Sequence, residues 1–344
     1  TLLAKCLTLM QIQEATIFRQ PSLQDTWQES QQLNKTMKTS TFSLRSSYDE
    51  LDLSVLAISP ERSPKAVVQF AHGMCEYKER YVPFMEFLCS KGYACIIHDH
   101  RGHGASVKSA EELGYFYNGG HEAVVSDVLT VNEHAKQMFP RCPVYLFGHS
   151  MGSLAVRSFT KRYDSHIDGL VVCGSPSRNP AAGAGKMLAK IIAALKGERH
   201  RPALIQKIAF DGFNKRFSSE GPNAWLSTDK ENVRSYNADP LCGYCFTGNG
   251  FMGLFDLMTD TYSSDGWKLS KPELPVHFIA GSDDPCITSL KDFEAAVGHM
   301  KAMGYANITA KTYEGLRHEI LNETAKGMVW EEIASLLEDW RTKH

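Results

Sequence analysis

The sequence predicts an α/β protein, a doubly wound, mostly parallel sheet of eight strands with an inserted helical cap. Three observations carry that prediction. From Phe42 onward, strand-like and helix-like patterns alternate along the chain. The later strand candidates are short, continuous apolar runs, as expected where helices cover both faces of a parallel sheet. The alternation then stops between Pro176 and Lys271. Those roughly ninety residues without a core strand are too many for a loop and imply an inserted helical unit.

Taken in order, the first strand patterns fall at 42–48 and 51–58, before any helix, and read as an antiparallel start. Further strands are predicted at 66–71 (Ala-Val-Val-Gln-Phe-Ala), 94–98 (Ala-Cys-Ile-Ile-His), 143–147, 167–173, 275–280 and 307–313. Helical spacing of apolar residues marks 80–91, 120–138, 151–163, 288–303 and 323–341. Inside the interruption, 186–195 is helical, with Met187, Leu188, Ile191, Ile192 and Leu195. After it come Phe210, Phe213, Phe217, Trp225, Tyr244, Phe246, Phe251 and Phe255. Any one of these aromatics reads as core of the cap. Together they are too many for so small a unit, and some are expected to line an apolar pocket. The domain plan is therefore a core of residues 37–175 and 272–344 with a cap at 176–271. Residues 1–36, rich in Gln, Ser, Asn and Thr in their second half, read as a loosely held extension and a poor signal peptide.

Composition narrows the function classes. Hydrophobic residues at 43% and charged residues at 22% are ordinary for a globular protein. A formal net charge of −2 gives no reason to expect nucleic acid as a partner. No apolar run approaches the roughly 18–20 residues needed to cross a bilayer. The nine cysteines are scattered, several within apolar patterns, which predicts a reducing, cytoplasmic setting. Cys242 and Cys245 form a C-x-x-C without a strand before it or a helix after it, so ordinary packing is expected there rather than redox or metal chemistry.

The most informative stretch is Gly148-His149-Ser150-Met151-Gly152, which follows an apolar strand and precedes a helical pattern. A serine between two glycines at such a corner is a nucleophile elbow: the tight turn lifts the hydroxyl from the sheet edge beside the first free amides of the helix. A serine hydroxyl is a weak nucleophile near neutrality and needs a base, itself oriented by an acid. In this architecture the order is Ser, acid, His, each at the carboxyl end of a strand. After strand 275–280 comes Gly281-Ser282-Asp283-Asp284-Pro285; after strand 307–313 comes Glu314-Gly315-Leu316-Arg317-His318. His318 is the expected base. By pattern alone Asp283 and Asp284 are equivalent, since either could cap the next helix. The oxyanion needs amides aimed at it in advance. Met151, after the nucleophile, supplies one. Met74, in the His72-Gly73-Met74-Cys75 loop leaving strand 66–71, supplies the other, with Gly73 letting the backbone turn inward.

A second dense motif, Ile97-His98-Asp99-His100-Arg101-Gly102-His103-Gly104, has the H-x-H-x-x-H spacing of metal-dependent hydrolases. Gly102 stands where the acidic ligand would be. The expectation is a structural turn in which Asp99 and Arg101 bond the loops near the nucleophile.

These motifs, in this order, resemble the α/β-hydrolase superfamily, and within it the lysophospholipase and monoacylglycerol lipase branch with its serine aminopeptidase S33-like domain. The match covers about residues 38–342 and includes Glu79-Arg80-Tyr81, Asp239-Pro240-Leu241-Cys242-Gly243 and His318-Glu319-Ile320-Leu321-Asn322-Glu323. The resemblance implies that Asp284 is the acid, because the family pattern is G-x-x-D. It also implies hydrolysis of a small or single-acyl-chain lipid ester, without cofactor, under a mobile cap that touches a membrane surface transiently. A cytoplasmic enzyme, peripheral to a membrane, is expected. Four competing readings remain: an S33-type aminopeptidase, a general short-chain carboxylesterase, a ligand receptor on a hydrolase scaffold, and a metal-dependent hydrolase built on His98, His100 and His103.

Overall fold

In the computed structural model, which describes residues 37–343, eight strands form one sheet. They are β1 (Met37–Arg45), β2 (Asp52–Pro60), β3 (Val67–Ala71), β4 (Ala94–His98), β5 (Val144–His149), β6 (Gly169–Cys173), β7 (Val276–Gly281) and β8 (Ile308–Tyr313). The spatial order is β1-β2-β4-β3-β5-β6-β7-β8. β2 runs antiparallel to β4, and every pairing from β4 to β8 is parallel. The reading of residues 1–36 as an extension lies outside the described residues.

Helices follow the parallel strands β3, β4, β5, β7 and β8: α1 (Val82–Ser90), α2 (Gly120–Met138), α3 (Met151–Tyr163), α8 (Leu290–Ala302) and α9 (Lys326–Lys343). The chain between β6 and β7 holds four others: α4 (Ala182–Lys196), α5 (Ala203–Phe210), α6 (Lys230–Ala238) and α7 (Gly248–Tyr262). Every residue of β3, β4, β5 and β6 is buried, which is why these strands read as unbroken apolar runs. α2 and α3 occupy the spans their apolar periodicity predicts. β1 begins before the predicted 42, because Lys38–Thr41 are exposed and carry no hydrophobic signal.

The inserted segment is rooted in the core. α7 packs on α4 on one side and on α2 and α3 on the other. Its aromatics divide as expected into two groups. Phe246 and Phe251 are fully buried, whereas Phe210, Phe213, Trp225 and Phe255 line a cavity over the carboxyl ends of the strands. Cys242 and Cys245 are free thiols, packed near Cys75, whose Sγ donates to the Tyr244 carbonyl at 2.9 Å.

Candidate active site

Ser150 stands between β5 and α3 with φ 53° and ψ −119°, a left-handed strained conformation. Its N–H donates to the Cys173 carbonyl of the neighbouring β6 at 3.0 Å, which fixes the corner. Only glycine fits on either side. A Cβ on Gly148 would press on Val156 and the Gly152 carbonyl, and one on Gly152 would run into the carbonyl oxygens of Ala71 and His72. The pattern read in the sequence thus has its steric cause in close approach of α3 to β3.

The two aspartates after β7 separate cleanly. Asp283 Oδ1 accepts from Arg216 at 3.0 Å near the surface. Asp284 is buried; its Oδ1 accepts from the Cys286 N–H at 2.8 Å, and its Oδ2 accepts from His318 Nδ1 at 2.9 Å. His318 is also buried, on the loop after β8, with the His149 ring at 4.7 Å and the Trp225 ring at 5.0 Å. Burial alone would depress this imidazole. The Asp284 carboxylate outweighs it, with Cys286 adding to the same effect, and holds the group well above its ordinary value. The other ring nitrogen, Nε2, faces Cys286 Sγ at 3.9 Å. Among the described residues no hydrogen bond joins it to Ser150 Oγ.

The loop after β3 packs against the serine: a Cβ on Gly73 would lie 3.2 Å from Ser150 Cβ. Its polar groups are accounted for around Met74. Gly73 N donates to Glu76 Oε1, and the Gly73 carbonyl accepts from His72 Nδ1 at 2.8 Å. Among the described residues, the N–H groups of Met74 and Met151 donate to no partner. Ser150, His318, Met74 and Met151 all line one cavity of about 380 Å³ with predominantly apolar walls.

The sequence reading gave no role to the residues that join these loops. Arg80 donates to Glu76 Oε2 at 2.7 Å and, through both terminal nitrogens, to Glu319 at 2.8 and 2.7 Å. Glu76 holds Gly73 beside Met74, and Glu319 follows His318. Asn232 of α6 completes the cluster by donating to Glu319 Oε2 at 2.7 Å. Burial opposes ionisation of both acids and leaves Glu76 above its ordinary value, whereas Arg80 and Asn232 bring Glu319 down to about 2. The quoted motifs contained Arg80 and Glu319, but nothing in their spacing says that they meet.

The histidines of the second motif are packing residues behind the Gly73 loop. His98, His100 and His103 are wholly buried beside His72, whose Nε2 accepts from the His100 N–H at 2.9 Å. Asp99 accepts from Lys78 N and Nζ, and Arg101 is paired with Asp127 and Asp49, as expected of a structural turn.

A family model described as "Serine aminopeptidase, S33" matches residues 62–325. The monoacylglycerol lipase of Mycolicibacterium smegmatis is 24% identical over 83% of this chain and 91% of its own. The human monoglyceride lipase is 29% identical over 77% of this chain and 78% of its own. A thermostable carboxyl esterase from Bacillus coagulans superimposes with a TM-score of 0.80 at 23% identity, over 89% of this chain and 100% of that one, a likeness of fold. With the family model spanning most of the sheet and both loops that meet at Ser150, the chain belongs to the serine aminopeptidase S33 family of α/β-hydrolases.

Proposed function

We propose that this ester hydrolase works through a covalent acyl-enzyme on Ser150 and takes single-acyl-chain glycerol esters, monoacylglycerols before lysophospholipids. The observation that carries the reading is the Asp284–His318 hydrogen bond opening, with Ser150, onto one apolar cavity. His318 Nε2 turns from Cys286 to take the Ser150 proton, a movement in keeping with the loose catalytic hydrogen bonds of unliganded sites. Ser150 Oγ attacks the acyl carbonyl, and the oxyanion is held by the Met74 and Met151 amides. His318 then protonates the leaving glycerol and activates water for deacylation. Asp284 keeps Nδ1–H oriented and stabilises the imidazolium without taking the proton.

Two features favour a lipid over a peptide. Of the cavity's three carboxylates, Glu76 and Glu319 are committed to Arg80 and not free to hold a substrate ammonium, which leaves only the exposed Asp211. The outer face of α4 and α5 exposes Met187, Ile191, Leu195, Leu204 and Ile208 among Lys186, Lys190 and Lys207. An apolar face ringed by lysines suits transient contact with a lipid surface, from which a single-chain ester would enter the cavity. Among the described residues no helix is long and apolar enough to cross a membrane.

The test is a series of monoacylglycerols, lysophospholipids and p-nitrophenyl esters of increasing chain length, set against aminoacyl amides. Long-chain glycerol esters should be turned over fastest, and Ser150→Ala should lose on the order of 10⁴-fold or more of the rate. Undiminished turnover by that variant would refute the nucleophile; preference for acetate or butyrate would refute the lipid substrate.

A further inference from the structure

We propose that Cys286 and His318 form a binding site for a thiophilic divalent cation, of which Zn²⁺ is the type, and that its occupation switches the hydrolase off. The switch rests on the reading of His318 as the general base. Cys286 Sγ lies 3.9 Å from His318 Nε2, the ring nitrogen that must be free for Ser150. Tetrahedral zinc at about 2.3 Å from sulfur and about 2.0 Å from nitrogen sets those two atoms roughly 3.5 Å apart. The pair therefore needs to close by only a few tenths of an ångström to hold the ion.

The far side of the ring is already arranged as in zinc sites. His318 Nδ1 donates to Asp284 Oδ2 at 2.9 Å, and a carboxylate on the second nitrogen is what orients a metal-bound imidazole and raises its basicity. Among the described residues, Asp284, Cys286 and His318 are the one group of three ligating side chains whose donor atoms all lie within 4.8 Å of one another. Asp284 serves from the outer shell, because its Oδ2 is spent on Nδ1. The thiol is held in place at both ends of its own residue: Cys286 N donates to Asp284 Oδ1 at 2.8 Å, and its carbonyl accepts from Ser177 N at 3.0 Å.

Both ligands line the cavity that holds Ser150, which gives the ion its entry path and leaves room for water in the remaining coordination positions. On binding, the thiol proton passes to solvent, sulfur and Nε2 each donate a lone pair, and nothing is oxidised or reduced. With Nε2 occupied, Ser150 has no base. Two protein ligands predict a reversible affinity on the order of micromolar rather than a structural site.

The experiment titrates the full chain with ZnCl₂ while following a soluble p-nitrophenyl ester, and with CoCl₂ while recording absorption. Expected are a loss of at least tenfold in turnover at micromolar zinc, reversed by EDTA, and a near-ultraviolet thiolate-to-cobalt band. In Cys286→Ser and Cys286→Ala, each compared with its own metal-free rate, the half-inhibitory zinc concentration should rise at least tenfold and the band should vanish. His318→Gln should lose the band as well. The other eight cysteines persist in every variant, so a band that survives these substitutions arises at one of them and overturns the proposal. Equal zinc sensitivity of wild type and the Cys286 variants overturns it too. Cobalt bound at Cys286 with full turnover retained would defeat the switch and locate the fault in His318 as base. Absence of any band, with Ser150→Ala inert, would defeat the metal site and leave the hydrolase reading standing.

Discussion

Asp283 and Asp284 share a side chain and differ in everything around it. One meets Arg216 near the surface; the other, buried, accepts from both the Cys286 amide and His318. Asp284→Asn should therefore cost on the order of 10⁴-fold in kcat, since it favours the wrong imidazole tautomer, while Asp283→Asn stays within about twofold of wild type. The pH profile carries a second signature. His318 works as a base only when neutral, and Asp284 raises it well above its ordinary value, so wild-type activity should rise with pH along a limb centred above about 6.5. Loss of the carboxylate should move that limb to lower pH. Equal rates for the two variants, or a limb that does not move, would remove Asp284 from the mechanism.

At the scale of elements, what matters is how loops from opposite ends of the chain are held together. Arg80, in the 3₁₀ turn just before α1, reaches Glu319, 239 positions away, and Glu76 beside the Gly73 loop. Removing the cation strands two buried carboxylates next to each other, which costs about 3–5 kcal/mol. Arg80→Met should be destabilised by that amount in denaturant unfolding, and adding Glu319→Gln should recover part of it. A single variant as stable as wild type would show that the loops are held by packing alone. The elements themselves were largely legible beforehand. α2 and α3 run over the predicted 120–138 and 151–163, because one apolar face per helix writes a 3.6-residue period into the chain. The start of β1 was not, because an exposed edge strand carries no such period. Nor was the Arg80 cluster, because a charged residue's partner leaves no mark on its own neighbourhood.

Over the whole molecule, buried histidines set the acid limit of stability. His72, His98, His100, His103 and His149 are buried and lowered first of all by that burial, His98 to about 3 and His103 to about 4. Among the described residues, His98 and His100 have no hydrogen-bond partner on either ring nitrogen. The folded chain keeps these groups neutral, whereas the unfolded chain protonates them below about 6.5. Their contribution is intact above that pH and drains as pH falls towards 4. Each extra proton on the unfolded chain takes about 1.4 kcal/mol per pH unit. His318 acts with the opposite sign in another window: its stabilisation is full below about 6.5 and is lost as pH rises through its raised folded value. Urea unfolding should show stability falling by several kcal/mol between pH 6.5 and 5.5. A fall below about 1.4 kcal/mol would mean that the histidines are charged in the native state.

The sequence by itself determined the order of strands and helices, the inserted helical segment and the glycine-flanked serine corner. These are matters of local periodicity and local steric fit, written in residues that are neighbours in the chain. Spacing left Asp283 and Asp284 equivalent, and only the family resemblance pointed to Asp284. Tertiary structure alone decided which cap aromatics face the cavity, that Arg80 bridges the two loops, and that Cys286 lies against His318 Nε2. Each depends on side chains brought together from distant segments, where distance, burial and charge are set by how the whole sheet and its loops pack.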